Sequence, residues 1–434
     1  MRRSQAVLLV GLALTAGVVV AELGATDKAG GRAPTYFQQV KPVLDARCGN
    51  CHMAGGLAPF SLKTYGQARG NRTAIASAVR TRLMPPWHAE RGYRRYLWDP
   101  SLSKAQISAI TRWAAAGAPK GDPGSPGEPL PPVTGDLTRA DVRLQLPTYT
   151  PRRAKGRDDY RCFAVAWPDR PRYVTGFDVV PGERREVHHM IVFVAQARDA
   201  ATVDAWDAGD PGAGYGCYGG PSATGSTNIA ARFLAGWAPG SEGADLPDGT
   251  GQLVEAGSRL IVQIHYNLAS AAPRPDHSVV ELKVDDSVAK RAASAPIVNP
   301  AWLISPQSFR IPARKRVTHS WAGDPRPFLR FLGSNADLSQ GFTIHSVLLH
   351  MHRLGQRGQV AILRASGKRE VLLSISRWQF NWQRDYRLAV PVRFNNGDRL
   401  QIRCEHRNGT KRTVTWGENS SDEMCIGFVY VSEL

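Results

Sequence analysis

Residues 341–354 read GFTIHSVLLHMHRL, the longest of six runs rich in Val, Ile, Leu, Phe and Tyr in the second part of this sequence. Runs of this composition without helical periodicity predict β-strands. Roughly 300 residues share this texture, more than one sandwich comfortably holds, so we predict two all-β sandwiches. Their boundary is expected in the turn-rich stretch 293–299. The other five runs are 173–180, 187–195, 259–267, 278–284 and 388–394.

Residues 35–120 have a helical texture instead. Apolar residues recur at helical spacing in 36–47 and 75–83, and Ser103 with Gln106 forms a capping box that begins a further helix. We therefore predict a small all-α domain. Residues 121–135 follow as a linker, because their Gly and Pro content can hold neither a helix nor a central strand.

The pentapeptide Cys48-Gly49-Asn50-Cys51-His52 lies inside this helical part. In a C-x-x-C-H motif two thioether bonds hold one edge of a haem, and the adjoining imidazole is an axial iron ligand. The motif predicts one covalently attached haem c in a cytochrome c-like domain. A redox-active or zinc-binding cysteine pair is the alternative.

The sixth iron ligand in a small cytochrome c is usually a methionine on a downstream loop. Met84, in a proline-rich loop, is the predicted ligand. His88 and Met53 are the alternatives.

The first residues are typical of an export signal. Arg2 and Arg3 precede the apolar run 6–20, which is shorter than the ~20 residues needed to span a bilayer core. We expect residues 1–21 to direct export to the periplasm or out of the cell, with an uncleaved anchor as the alternative. No later run is apolar enough for a stable membrane span.

The composition excludes two classes of protein, wholly disordered chains and nucleic-acid-binding proteins. A chain with 42% hydrophobic and 21% charged residues is not wholly disordered. The net charge is +18, but the Arg residues are scattered and no basic cluster is interleaved with aromatic residues, so no nucleic-acid partner is expected.

Four cysteines lie outside the haem motif: Cys162, Cys217, Cys404 and Cys425. An oxidising compartment favours two disulfides, for which three pairings are possible. The long interval between the two halves favours one bridge per sandwich, Cys162 with Cys217 and Cys404 with Cys425.

Histidines recur in strand-like contexts, which indicates metal binding. His350 and His352 are two apart, so an extended strand would direct both towards one face and Met351 towards the other. His188 and His189 are adjacent and would diverge on a regular strand. They could share an ion only through a twist, a bulge or different ring nitrogens.

Four short segments, which follow one another in this order along the chain, make the pattern of metal-binding residues specific. They are Val187-His188-His189-Met190, Gln263-Ile264-His265-Tyr266, His350-Met351-His352-Arg353-Leu354-Gly355 and Asp422-Glu423-Met424-Cys425. Residues 140–434 therefore resemble the ascorbate-dependent copper monooxygenases, the family of peptidylglycine α-hydroxylating monooxygenase and dopamine β-monooxygenase. The helical domain lies outside the resemblance.

The resemblance implies two copper ions per chain, one held by three histidines and one by two histidines and a methionine. The implied ligands are His188, His189 and His265 for the site that stores and passes an electron, and His350, His352 and Met424 for the catalytic site that activates O2. In the family each site belongs to its own jelly-roll-like sandwich, here 136–295 and 296–434. The two coppers face each other across a solvent-filled cleft, and the cysteine segments also resemble those of the family.

Two substrate-binding positions depart from the peptide-amidating members. Leu348 and Phe428 stand where those members hold a substrate carboxylate with Arg and Tyr. We therefore expect hydroxylation of a small substrate without a carboxylate, with O2 and electrons from an ascorbate-like reductant or a redox protein.

A haem on the same chain predicts internal electron delivery to the His188/His189/His265 copper, and the alternative is an independent haem module. A non-enzymatic copper or haem electron-transfer protein is the alternative function, although a copper carrier would need only one of the two sites.

Overall fold

The computed structural model describes residues 32–54, 56, 58–131, 133, 135–152, 158–238, 243–268 and 272–434. The predicted export signal at 1–21 lies outside these ranges. Pro34–Leu434 form one unit by their contacts. Within the described ranges no helix is long and apolar enough to cross a membrane.

Residues 36–115 are helical in short pieces, as the periodicity predicts. The Ser103 side chain accepts a hydrogen bond from the Gln106 N–H (3.1 Å) and the Gln106 side chain accepts one from the Ser103 N–H (2.8 Å), which confirms the capping box. The helix predicted at 75–83 ends at Arg80. The elements are a π-helical turn Tyr36–Val40, α1 (Lys41–Arg47), α2 (Tyr65–Gly70), α3 (Arg72–Arg80) and α4 (Lys104–Ala115).

The described residues of the Gly/Pro-rich segment 121–135 form no helix or strand, and part of the segment packs on the first helical turn. Gln38 Nε2 donates to the carbonyls of Asp122 (2.9 Å) and Ser125 (2.8 Å), and the Gly127 N–H donates to Phe37 (3.0 Å). A Cβ on Gly127 would collide with the Gln38 carbonyl oxygen, so this approach requires glycine.

Two sheets form the first sandwich, and their facing side chains share one core. The sheet order is β5-β2-β9-β4-β6 on one side and β1-β10-β3-β8 on the other, with β7 beside β3. The elements are β1 (Val142–Gln145), β2 (Asp158–Ala166), β3 (Arg172–Val180), β4 (Val187–Ala195), α5 (Ala200–Gly209), β5 (Tyr215–Gly216), β6 (Arg232–Trp237), β7 (Ala244–Asp245), β8 (Thr250–Val254), β9 (Arg259–Asn267) and β10 (Val279–Asp285).

The second sandwich packs the sheet β13-β18-β15-β16 against β11-β20-β14-β17 over a second core. A two-stranded sheet, β12-β19, lies beside it. The elements are β11 (Lys290–Ile297), α6 (Pro300–Ile304), β12 (Arg310–Ile311), β13 (Arg316–Gly323), α7 (Arg326–Phe331), β14 (Phe342–His350), β15 (Gly355–Leu363), β16 (Arg369–Ile375), β17 (Tyr386–Phe394), β18 (Arg399–Arg407), β19 (Val414–Thr415) and β20 (Ile426–Ser432).

The stretch 293–299 is not the turn-rich boundary that the sequence predicts. Strand β11 runs to Ile297, pairs antiparallel with β20 and pairs parallel with β8 at Lys290 and Arg291. One nine-stranded sheet therefore passes through both sandwiches. Ala and Ser are weak strand formers, but pairing on both edges and burial of Ala295 override that preference.

The helical part docks on the second sandwich. The Glu90 N–H donates to the Ser374 carbonyl (2.8 Å) and the Leu97 N–H donates to the Arg387 carbonyl (2.8 Å). Residues 87–97 thus follow the edges of β16 and β17. Backbone hydrogen bonds of this kind fix the helical part in register, which disfavours the interpretation of an independent module on a free tether.

Both disulfides form as predicted, Cys162 with Cys217 in the first sandwich and Cys404 with Cys425 in the second.

Candidate metal centres

The first cluster lies where β4 and β9 pair. Val187 is opposite Tyr266 and His189 is opposite His265, so His188 is the extra residue of a β-bulge. The bulge turns the His188 ring to the same side as its neighbour. A bulge is one of the three arrangements by which adjacent histidines can share an ion.

Three imidazole nitrogens converge here. The Nδ1 atom of His189 lies 3.3 Å from Nδ1 of His188 and 3.4 Å from Nδ1 of His265. Nitrogens that bind one ion at about 2.0 Å in tetrahedral or trigonal geometry lie roughly 3.3–3.5 Å apart. The three histidines therefore fit one metal ion bound through Nδ1.

Asp158 fixes the His265 tautomer. Its Oδ1 accepts hydrogen bonds from His265 Nε2 (2.9 Å) and Asn267 Nδ2 (3.0 Å). A carboxylate only accepts, so the His265 proton is on Nε2 and the lone pair on Nδ1 faces the cluster. Burial opposes ionisation of Asp158, but the bonds from His265 and Ser420 outweigh it and lower the pKa of the carboxyl. Tyr160 stacks on the His265 ring at 4.3 Å.

Two histidines of this cluster, His188 and His189, are held neutral. Burial, with a smaller contribution from His265, lowers the pKa of His188 to about 3. Burial also lowers the pKa of His189 well below its usual value. At neutral pH both rings offer lone pairs, which is the form that binds a metal.

The second cluster departs in part from its predicted strand. The composition of 341–354 predicts one strand, but β14 ends at His350, and His352 follows it outside the sheet pairing. The two imidazoles still meet, with ring centroids 5.0 Å apart. Met351 points away into the core, as predicted.

Glu423 explains where the strand ends. Its Oε2 accepts the N–H groups of His352 (2.9 Å) and Met424 (3.1 Å), and its Oε1 accepts the N–H of Leu354. The carboxylate therefore takes the backbone bonds that a neighbouring strand would otherwise satisfy. It also brings the backbones of His352 and Met424 to one oxygen atom, next to the Cys404–Cys425 bridge.

Hydrogen bonds select the opposite ring nitrogen in this cluster. Gln383 Nε2 donates to the Phe380 carbonyl (2.8 Å), so its Oε1 accepts from His350 Nδ1. His352 Nδ1 faces the Asp422 carbonyl at 3.3 Å. Both Nδ1 atoms thus carry protons, and both Nε2 lone pairs remain for a metal.

Phe380 contacts histidines of both clusters. Its ring stacks on His188 with centroids 4.8 Å apart and lies edge-on to His352 at 5.8 Å. The resemblance implies a solvent-filled cleft between the two metals. In this structure a phenyl ring lies against both sites.

The C-x-x-C-H motif borders a cavity of about 760 Å³. Cys48 and Cys51 take part in neither disulfide, and both line the cavity with His52. His52 Nδ1 donates to the Phe60 carbonyl (3.0 Å), which leaves the Nε2 lone pair. These residues fit a covalently attached haem.

The opposite walls of the cavity also fit a haem. Met84 lines the cavity, whereas Met53 is 43% exposed and His88 lies in a neighbouring pocket, its pKa lowered to about 4 by burial. Arg384 and Arg387 line the far wall, where they could pair with the two propionates.

The two positions expected to contact substrate lie side by side. Leu348 on β14 is opposite Phe428 on β20, and both line the same cavity. Phe428 stacks on Phe233 of the first sandwich at 4.4 Å. Both side chains are apolar, in line with the two sequence departures, although Arg384 and Arg387 line the same cavity.

Four supporting residues have no role predicted from the sequence: Asp158, Phe380, Gln383 and, as a backbone acceptor, Glu423. Of these four, only Glu423 could have been suspected from the local sequence. An acidic residue next to a ligand methionine needs hydrogen-bond donors if it is buried. The others are distant in sequence from the histidines they touch: Gln383 is 33 residues from His350, and Asp158 is 107 residues from His265.

Two solved structures to which this chain is similar resemble it only remotely. The major capsid protein P2 from bacteriophage PM2 is 9% identical, with 67% of this chain and 96% of that chain covered and a TM-score of 0.26. An allantoicase is 11% identical, with 62% and 81% covered and a TM-score of 0.17. Scores this low carry no argument about fold or function.

Two family models match, and together they cover just over half of the chain. Residues 145–272 match the N-terminal domain of copper type II ascorbate-dependent monooxygenases, and residues 333–432 match the C-terminal domain. The matched ranges contain all six candidate ligands. This sets aside the non-enzymatic alternative, and the chain belongs to the copper type II ascorbate-dependent monooxygenases, which are oxidoreductases.

Proposed function

We propose that this copper monooxygenase is exported and hydroxylates a small organic substrate that lacks a carboxylate, with His350, His352 and Met424 as the ligands of the oxygen-activating copper. His188, His189 and His265 hold the second copper. Bound copper supplies one-electron chemistry and O2 activation at these places. Export is supported by the two disulfides, which persist in oxidising compartments.

One observation carries the proposal, which is the opposite choice of ring nitrogen in the two clusters. Asp158 holds the proton of His265 on Nε2, so the first cluster presents Nδ1. Gln383 and the Asp422 carbonyl hold the protons of His350 and His352 on Nδ1, so the second cluster presents Nε2. His265, His350 and His352 are thus each oriented towards the metal position before the metal binds.

The apolar pair Leu348 and Phe428 supports a substrate without a carboxylate. Leu348 is two residues before His350 on the same strand and opposite Phe428. Neither side chain can pair with an anion, and the Phe428 ring stacks on Phe233 of the first sandwich instead.

A haem c held by Cys48, Cys51, His52 and Met84 is proposed as the inlet for electrons. The external donor is an ascorbate-like reductant or a reduced redox protein. The cavity beside the motif and the docking of residues 87–97 on the second sandwich support this part of the proposal.

Oxygen uptake tests the enzymatic proposal. The copper-loaded full chain with ascorbate should consume O2 in proportion to hydroxylated product when small neutral aromatic or aliphatic compounds are offered. Matched analogues that carry a carboxylate should react more slowly. The His352→Ala variant should abolish product, and product formation that survives this substitution would refute the assignment of the catalytic site.

A further inference from the structure

The cavity beside the C-x-x-C-H motif has walls from the helical part and from both sandwiches, with Phe233 and Gly236 among the residues of the first sandwich. The helical part contributes the C-x-x-C-H motif and Met84, and the second sandwich contributes Leu348, Trp382 and Phe428. Leu348 is two residues from His350 along β14, roughly 7 Å for an extended chain. The cavity therefore borders the strand that ends at the oxygen-activating site.

Residues 378–385, which we name the junction segment, touch this wall and both metal clusters. Trp382 lines the cavity, and its backbone contacts the His88 ring of the helical part. The next residue, Gln383, accepts the Nδ1 proton of His350. Two residues before Trp382, Phe380 stacks on His188.

We propose that the junction segment is the electron inlet of the enzyme, and that electrons from the haem side reach the His350/His352/Met424 site first, through Trp382 and Gln383. This inference rests on the proposed function. It differs from the expectation from sequence, in which the three-histidine site receives the electron.

The bonds along each path favour one of the two copper sites as the first acceptor. The path to the His350/His352/Met424 site begins at the Trp382 ring and crosses one peptide unit to Gln383. One hydrogen bond then joins the Gln383 side chain to the His350 ring. Within the junction segment, the path to the three-histidine site runs back to Phe380 and then crosses a ring stack of 4.8 Å to His188. Covalent bonds and hydrogen bonds couple redox groups better than a van der Waals gap, so the first path is favoured.

The electron balance is simple. One electron leaves ferrous haem, which becomes ferric, and reduces Cu(II) to Cu(I) at the His350/His352/Met424 site. The external donor, ascorbate or a reduced redox protein, then restores ferrous haem. Trp382 and Gln383 are positioning residues in this scheme, since neither binds a metal.

Flash reduction identifies the first acceptor without turnover. In the anaerobic full chain with haem attached and Cu(II) loaded, a light-generated flavin semiquinone reduces the haem. Reoxidation is then followed at the haem absorption band, and Cu(II) is counted by EPR. The wild type and His189→Ala should show a copper-dependent reoxidation phase, and His352→Ala should lack it.

Two substitutions on the junction segment test the path itself. Trp382→Leu should slow the phase roughly tenfold, equal to about 1.4 kcal/mol in the barrier. Trp382→Phe should restore much of the rate, and the matched control Phe380→Leu should leave it near the wild-type value. Copper content and the haem spectrum must stay unchanged, which separates a path effect from a folding defect.

Any other pattern overturns the inference. Loss of the phase in His189→Ala with retention in His352→Ala would make the three-histidine site the first acceptor, and retention in both would show that the haem does not select one site. Absence of the phase in the wild type would refute the inlet. If such protein still hydroxylated substrate with ascorbate, the proposed function would stand and only the inlet would fail.

Discussion

Asp158 Oδ2 accepts a hydrogen bond of 2.8 Å from Ser420 Oγ. Through its other oxygen Asp158 holds His265 of the three-histidine cluster, and Ser420 lies four residues before Met424. The Asp158 carboxylate therefore links the three-histidine site, whose ligand His265 it orients, to the loop that carries Met424, a ligand of the other site. Tyr160 reinforces the contact, since its hydroxyl donates to the Glu418 carbonyl at 2.6 Å.

Asp158→Asn should weaken copper binding at the three-histidine site by about 10- to 100-fold, because the carboxylate that orients His265 is lost. A copper titration monitored by EPR measures the change. Asp159→Asn is the matched control, since this neighbouring carboxylate binds Tyr149 and the Arg152 N–H instead. Equal affinity in Asp158→Asn and the wild type would contradict the role given to Asp158.

Gln383→Ala should weaken the second copper site by roughly tenfold and leave the first unchanged, because His350 loses the acceptor that fixes its tautomer. Copper analysis after dialysis against a weak chelator distinguishes the two sites. Gln379→Ala, on the same loop, serves as the control. Loss of copper from the three-histidine site instead would show that Gln383 acts through Phe380.

The disulfide next to Met424 should stabilise the second sandwich. Replacing Cys404 and Cys425 together by alanine frees a loop of 21 residues, which should lower the free energy of unfolding by about 3 kcal/mol. Urea denaturation of the copper-free protein measures this. The same substitutions should also weaken copper binding through Met424, and copper binding of wild-type strength in the variant would argue that the bridge only supports the fold.

Stability should fall in mild acid, in part through His345. Burial, together with Arg387 and Lys290, lowers the pKa of His345 to about 4, below the value of about 6.5 for an unfolded chain. The unfolded state therefore binds the proton first as the pH falls. Between pH 6.5 and 4 this histidine should cost at most about 1.4 kcal/mol of stability per pH unit, because its partial exposure to solvent screens the effect.

His345→Gln should remove that part of the acid sensitivity. The change in urea midpoint of the copper-free protein between pH 7 and pH 5 should be smaller in this variant than in the wild type. His277→Gln is the control, because His277 is exposed. An identical pH dependence in His345→Gln and the wild type would refute the assignment.

Local sequence patterns correctly predicted those strands whose own composition is enough to determine them. The strands 187–195 and 259–267 have the predicted bounds, because their composition and burial agree. The end of β14 could not be predicted, since Glu423, which takes over the backbone of His352, is 71 residues away. Strand β11 was missed because its residues form a strand only through partners on both edges.

The candidate copper ligands can be predicted from motifs in the sequence, but the residues that orient these ligands cannot. Asp158, Phe380 and Gln383 have no spacing that links them to a histidine, and they reach the clusters only through tertiary packing. The contact of Phe380 with both clusters is of this kind.

The central claim is that one chain holds two separate copper sites beside one haem. Elemental analysis and a pyridine haemochrome assay on the same protein, exported from a host that attaches haem c, test it most directly. We predict two coppers and one haem in the wild type, with one copper lost in His188→Ala and one lost in Met424→Ala. One copper or none, unchanged by either substitution, would contradict it.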